Sequence, residues 1–143
     1  MPLFTQINLL GNSIGGIFTN ISTPEGPRAV ANALRVNASL TEVDLRKNNF
    51  GVDGWCIIFD ELAQSTVSKI TKWTLYTTGH AGEAIGLEGA KLLAVYLATS
   101  TSVTAADLRC NGLNADAKQR LRDAVKNRAS FKLDLRDYLD LVG

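Results

Sequence analysis

Histidine and methionine each occur once in the 143 residues, cysteine twice and proline three times. With His80 as the sole histidine, metal sites built from several histidines are excluded, and a histidine-based triad has no firmly placed partner. Cys56 and Cys110, 54 residues apart, are too few for a disulfide scaffold or a zinc cluster and read as free thiols of a reducing compartment. An excess of one charge is also missing. Fifteen basic and fourteen acidic side chains leave a net charge of +1, so no global field draws the chain to nucleic acid or to an anionic membrane. No apolar run approaches the ~18 residues needed to span a bilayer, and no basic-then-apolar leader follows Met1-Pro2. The sequons Asn20-Ile21-Ser22 and Asn37-Ala38-Ser39 therefore carry little weight. The expectation is a soluble, cytoplasmic chain forming one domain over residues 1–143.

Repetition is what the sequence does have. Asp-Leu-Arg recurs at residues 44–46, 107–109 and 134–136, with Thr74-Leu75-Tyr76 filling the gap between the first two. Aligned on these, the strands read Phe4-x-x-Ile7-x-Leu9-x-x-Asn12-x-Ile14 and Leu40-x-x-Val43-x-Leu45-x-x-Asn48-x-Phe50. The third is Ile70-x-x-Trp73-x-Leu75-x-x-Thr78, and the fourth Val103-x-x-Ala106-x-Leu108-x-x-Asn111-x-Leu113. Phe131-Lys132-Leu133-Asp134-Leu135 is a shortened fifth copy. After each of the first strands comes a helical period. Its apolar residues are Pro27, Val30, Ala31 and Leu34 in one segment, Trp55, Ile58, Phe59 and Leu62 in the next, and Ala90, Leu93, Ala94 and Leu97 in a third.

This pattern resembles the leucine-rich repeat, in its ribonuclease-inhibitor-like class where each strand is followed by a full helix. The resemblance spans residues 3–136 and implies an α/β solenoid, a short horseshoe arc with a parallel sheet on the concave face and helices on the convex face. About four repeats and a shortened terminal strand are expected, with residues 137–143 a candidate C-terminal cap. Leu9, Leu45, Leu75, Leu108 and Leu135 should form one core ladder, and Asn12, Asn48 and Asn111 a second one bonded to turn backbone. Thr78 interrupts the asparagine series, which predicts a looser third turn. Trp73 is expected in the core beside the small Ala106. The stretch from Tyr76 to Gly86 reads as an extended glycine-rich loop at the rim.

No catalytic constellation is visible. The glycine clusters lack the spacing of a phosphate loop, Cys110 has no recognisable base, and neither enzyme activity, metal nor cofactor is expected. The concave face is the remaining candidate site. One residue before each ladder leucine stand Asn8, Asp44, Thr74, Asp107 and Asp134; one residue after stand Leu10, Arg46, Tyr76, Arg109 and Arg136. Period-2 geometry puts both columns on the sheet's concave surface. They read either as a solvated lattice of mutual ion pairs, each contributing ~0–1 kcal/mol, or as a recognition strip, since Tyr and Arg are the side chains that anchor interfaces.

The function expected is therefore a non-catalytic protein–protein interaction scaffold. Its site would comprise Asp44, Arg46, Tyr76, Asp107, Arg109, Asp134 and Arg136, with His80 in the 76–86 rim loop. The partner would be another protein, with no nucleic acid and no membrane. The alternative is a structural segment of a longer repeat array, or a unit that self-associates through an uncapped N-terminal edge. Proteins resembling this class include ribonuclease inhibitors, Ran GTPase-activating proteins and sensor domains of innate immune receptors, none of them favoured by particular residues here.

Overall fold

The structure, a computed structural model, describes residues 5–12, 14, 24–77 and 83–142. Short strands alternate with helices: β1 (Gln6–Asn8), α1 (Glu25–Val36), β2 (Glu42–Asp44), α2 (Gly51–Ala63), β3 (Lys72–Thr74), α3 (Gly86–Thr99), β4 (Ala105–Asp107), α4 (Ala115–Val125), β5 (Lys132–Asp134) and α5 (Tyr138–Val142). All strand pairs are parallel and the sheet order follows the chain, β1-β2-β3-β4-β5. A parallel pair cannot be closed by a tight hairpin, so each crossover carries a helix back over the same face. The result is a solenoid with the sheet on its concave side and the helices on its convex side.

Register alone brings Ile7, Val43, Trp73, Ala106 and Leu133 onto one rung. The expected leucine ladder lies next to it: Leu45, Leu75 and Leu108 are sealed from solvent, Leu135 is buried, and Leu9 is half-buried at the sheet edge. Against these rungs pack the inward faces of α2 (Trp55, Ile58, Phe59, Leu62) and α3 (Ala90, Leu93, Tyr96, Leu97). Tyr96 was not part of the apolar period read from α3, and Ala94, which was, is only half-buried. The α4 face is thinner, with Ala117, Leu121 and Val125 buried and Arg120 exposed.

The asparagine ladder forms as its chemistry requires. The Asn48 amide donates to the carbonyls of Leu9, Leu45 and Arg46 at 2.7, 2.9 and 3.2 Å, and its oxygen accepts the N–H groups of Asn12 and Ile14. Asn111 repeats the arrangement one interval on, donating to Leu75, Leu108 and Arg109 and accepting from Ile85. Each buried amide thus ties two successive turns together and leaves no polar atom unmatched.

A second ladder escaped the alignment. Thr41, Thr71 and Thr104 each donate their hydroxyl to the carbonyl of the threonine one strand earlier, Thr5, Thr41 and Thr71, at 3.0, 3.0 and 3.3 Å. The series stops at β5, where register places Phe131 opposite Thr104. Phe131 instead sits beneath Arg128, whose guanidinium lies 5.0 Å from its ring centre and donates to the carbonyls of Leu97 and Val103.

The third unit departs from the others one residue earlier than Thr78. Two positions after the ladder leucine, Gly11, Lys47 and Cys110 all take left-handed backbone, with φ of 75°, 59° and 61°. Thr77, in the same place, does not; a β-branched residue is poorly tolerated there. Its buried hydroxyl donates to the Cys110 carbonyl at 2.6 Å instead. Thr78 itself lies outside the described residues, together with the looser turn expected around it. Beneath this break five rings run edge to face or stacked through the core, Phe50, Trp55, Phe59, Trp73 and Tyr96, with centroids 4.9–6.1 Å apart. The Trp73 indole N–H donates to the Tyr96 hydroxyl at 3.1 Å.

At the C-terminal end, Asp137 is tied to α4 through Lys118 at 2.6 Å, and its N–H is accepted by Asp140. The short α5 that follows leaves Tyr138 and Leu139 largely exposed, 67% and 78%.

Candidate protein-binding face

Each Asp-Leu-Arg copy closes on itself in the same way. Aspartate and arginine lie two residues apart on one strand, so both point to the concave side while the leucine between them enters the core. The Arg46 Nε and Nη2 groups donate to the two Asp44 carboxylate oxygens at 2.9 and 2.7 Å, and the Arg46 backbone N–H donates to Asp44 Oδ1 at 3.2 Å. Arg109 and Asp107 repeat this at 2.8, 2.7 and 3.3 Å, and Arg136 and Asp134 at 3.0, 2.7 and 3.2 Å. Pairing is therefore mainly within strands, with a longer cross-strand contact of 3.7 Å from Arg109 to Asp134. In β1 the same closure survives without an arginine, the Leu10 N–H donating to Asn8 Oδ1 at 2.9 Å.

A two-point fork fixes a guanidinium more firmly than a single contact and leaves its remaining N–H groups aimed outward. Tyr76 exploits that fixity. The Arg46 guanidinium carbon lies 3.9 Å from its ring centre and that of Arg109 lies 4.8 Å away, so the phenol ring is clamped between two oriented cations. The forks open progressively along the sheet. Side-chain exposure of the arginine rises from 15% at Arg46 to 31% at Arg109 and 58% at Arg136.

The electrostatics follow from this packing. Partial burial pushes the Asp44 carboxyl up, but the bonds from the Arg46 side chain and backbone together outweigh it and hold the group below its ordinary value. For Asp134 the Arg136 bond dominates and lowers the carboxyl, with burial opposing. Arg46, Arg109 and Arg136 are all raised, first by their hydrogen bonds to Asp44, Asp107 and Asp134. The Asp44–Arg46 and Asp134–Arg136 pairs consequently stay ionised across the physiological range.

The structure thus brings together seven of the eight residues singled out from the sequence: Asp44, Arg46, Tyr76, Asp107, Arg109, Asp134 and Arg136. His80 lies outside the described residues, as does the 78–82 part of the rim loop. Among the described residues no group of His, Cys, Asp and Glu is placed to hold a metal ion, and no helix is long and apolar enough to cross a membrane. Cys110 sits half-exposed on the turn beyond Arg109 with its backbone engaged by Arg136 and Thr77.

Sequence reasoning missed an open groove of about 780 Å³ at the β4–β5 end of this face. Lys72 and Lys132 flank it across the small Ala105, and Arg122, Val125 and Leu133 line its far side. In the sequence Lys72 and Lys132, with Glu42 and Lys47, extend the charged strip, but the opening between them depends on the small Ala105 and the thin α4 face, which the column pattern does not register.

No protein-family model matches the chain, and no curated protein matches it in sequence. Its fold is similar to the solved structure of Leiomodin-1 actin-binding site 2 (ABS2), with a TM-score of 0.70 and 16% identity over 95% of this chain and 72% of that one. At that identity the likeness establishes the shared solenoid architecture and nothing narrower.

Proposed function

We propose that this chain is a non-catalytic protein-binding scaffold of the ribonuclease-inhibitor-like kind, receiving its partner on the concave sheet face with the 76–86 loop at the rim. The observation that carries the reading is the Tyr76 clamp. A tyrosine held between two arginines, each fixed by its own aspartate, has already lost the side-chain freedom that binding would otherwise cost it. Solvated ion pairs alone would not require an aromatic ring at the centre of the strip. A fold shared with an actin-binding site in Leiomodin-1 is in keeping with a protein partner.

The test is affinity capture from the source cell with the wild-type chain and with Tyr76→Ala, which leaves all three Asp-Arg forks intact. Proteins retained by the wild type and lost by the variant are expected, with the two circular dichroism spectra superimposable. An identical retained set would mean that the strip is the wrong surface.

One observation favours the self-associating alternative. The N–H groups of Leu9 and Gly11 reach the β2 backbone, so those of Gln6 and Asn8 turn to the other side, where that of Leu10 is already taken by Asn8 Oδ1. Among the described residues no strand pairs there. Light scattering over a concentration range tests it, a strict monomer at high concentration counting against self-association.

A further inference from the structure

The groove at the β4–β5 end holds a different kind of surface from the Tyr76 clamp. Along its concave wall, Lys72 and Lys132 stand two strands apart, about 10 Å, with only the methyl group of Ala105 between them. Arg122 of α4 lines the groove past the β5 edge, on the helix side of the sheet. Among the described residues these three cations make no ion pair, in contrast to Lys118, held by Asp137, and Arg136, held by Asp134. Of the acids that enter the groove, Asp107 and Asp134 are held in arginine forks, and Asp140, which accepts the neutral Asp137 N–H, leaves one carboxylate against the three cations. The groove is therefore a place of unmatched positive charge on a chain that is otherwise almost neutral.

Its floor is apolar. Phe131 and Leu133 are half-buried, and Val125 and Leu135 buried, where the thin α4 face fails to cover the last rung. Beside that floor runs an open backbone edge. Lys132 donates its N–H to Thr104, while Asp134 and Arg136 accept from Leu108 and Cys110. Leu133 and Leu135, lying between those residues, turn their own N–H and C=O groups the other way. Among the described residues no strand pairs with that side.

Resting on the reading of the concave face as a protein-binding surface, we infer that this groove takes a further contact with the partner, and that the contacting segment is extended, acidic and apolar in alternation. Paired along β5, such a segment places every second side chain on the Phe131–Leu133 floor under Arg122 and the others on the concave side beside Lys132, with Lys72 two strands further off. Backbone pairing supplies general affinity, and Lys132, with the longer-range fields of Lys72 and Arg122, selects against neutral and basic segments. Their contribution falls as salt screens it.

The experiment is selection of a displayed random dodecapeptide library on the immobilised full-length chain, followed by amide-shift mapping of synthesised winners. Enrichment of sequences alternating Asp or Glu with Leu, Ile, Val or Phe is expected, with the largest shifts at Leu133 and Leu135. Lys72→Glu combined with Lys132→Glu should weaken these peptides at least tenfold at low salt while the melting temperature stays put. Winners that are neutral or basic, or that map to the β2–β3 region and are lost with Tyr76→Ala, overturn the groove assignment and leave the broader binding reading standing. A library that yields no winner above an unrelated control protein overturns both.

Discussion

The hydrogen bond between Trp73 and Tyr96 makes a quantitative prediction. Both side chains are sealed, 0% and 2% exposed, and the indole N–H reaches the phenol oxygen at 3.1 Å. Tyr96→Phe removes the acceptor and leaves a buried N–H without a partner, a cost of ~1–3 kcal/mol. Trp73→Phe keeps a ring in the aromatic row but loses the donor and part of the packing, and should cost ~2–3 kcal/mol. In the double variant neither polar group is left stranded by the other, so the two costs do not add. The expected coupling is on the order of 1–2 kcal/mol. Urea denaturation followed by circular dichroism resolves this, because 1 kcal/mol moves the midpoint by roughly 0.3–1 M. Strict additivity, within about 0.3 kcal/mol, would show that the bond contributes nothing specific and that the pair is held by ring packing alone.

Further expectations can be tested on the same material. Burial pushes the Tyr96 hydroxyl up to about 12 from its ordinary 10, so the unfolded chain gives up this proton first and stability falls as pH rises from 10 to 12. The loss attributable to Tyr96 is on the order of 2–3 kcal/mol, and Tyr96→Phe should flatten that limb of the melting curve by the same amount. At the other extreme, Asp44 and Asp134 are held below the ordinary carboxylate value, so their contribution is complete above about pH 4 and is lost as pH falls through that region. An acid titration of Asp44→Asn should show a shallower decline than the wild type. Lys47 bears left-handed backbone, so Lys47→Gly is expected to be neutral to stabilising by up to ~1 kcal/mol, whereas Gly112→Ala, at φ of 63° with open space around it, should lose ~1–2 kcal/mol through backbone strain alone. Asn111→Ala strands three carbonyls and one N–H, and thermal melting should register a loss of ~2–4 kcal/mol.

The repeat period made most of the architecture legible. Once Leu45, Leu75 and Leu108 are aligned, strand direction, register and the concave columns follow from period-2 geometry, and the structure places them accordingly. Residues whose role depends on a neighbouring unit were harder to see. Thr41, Thr71 and Thr104 are unremarkable polar residues within one copy, and become a ladder only because each hydroxyl finds the carbonyl of the previous strand. Tyr96 falls off the 3.6-residue apolar pattern of α3, yet is buried because Trp73, 23 residues earlier, gives its hydroxyl a donor. Thr78 attracted notice as a missing asparagine, while the departure starts at Thr77, for a reason of backbone conformation that an alignment of side-chain types does not register. At the candidate site, the columns were readable but the forks were not. Adjacent columns allow pairing along or across strands, and side-chain geometry decides between them.

The close contact of α1 and α2 bears on the opposite side of the molecule. A Cβ on Gly54 would meet the Cβ of Phe50 at 2.8 Å and the Pro27 ring at 3.0 Å, so the missing side chain lets the Pro27 ring of α1 lie directly against α2. Neighbouring strands stay about 4.8 Å apart while packed helices stand about 8–10 Å apart, and that mismatch across the thickness of the layer bends the stack by roughly 20° per unit. Four such steps sweep less than a quarter of a circle, leaving a shallow gutter open along one side, from which a rod-shaped partner can leave sideways without any part of the chain having to move. The smallest side chains on the convex surface therefore help set the radius of the concave one. Gly54→Ala, which forces two helices apart, should tighten the gutter on the far side without altering a single residue that faces into it.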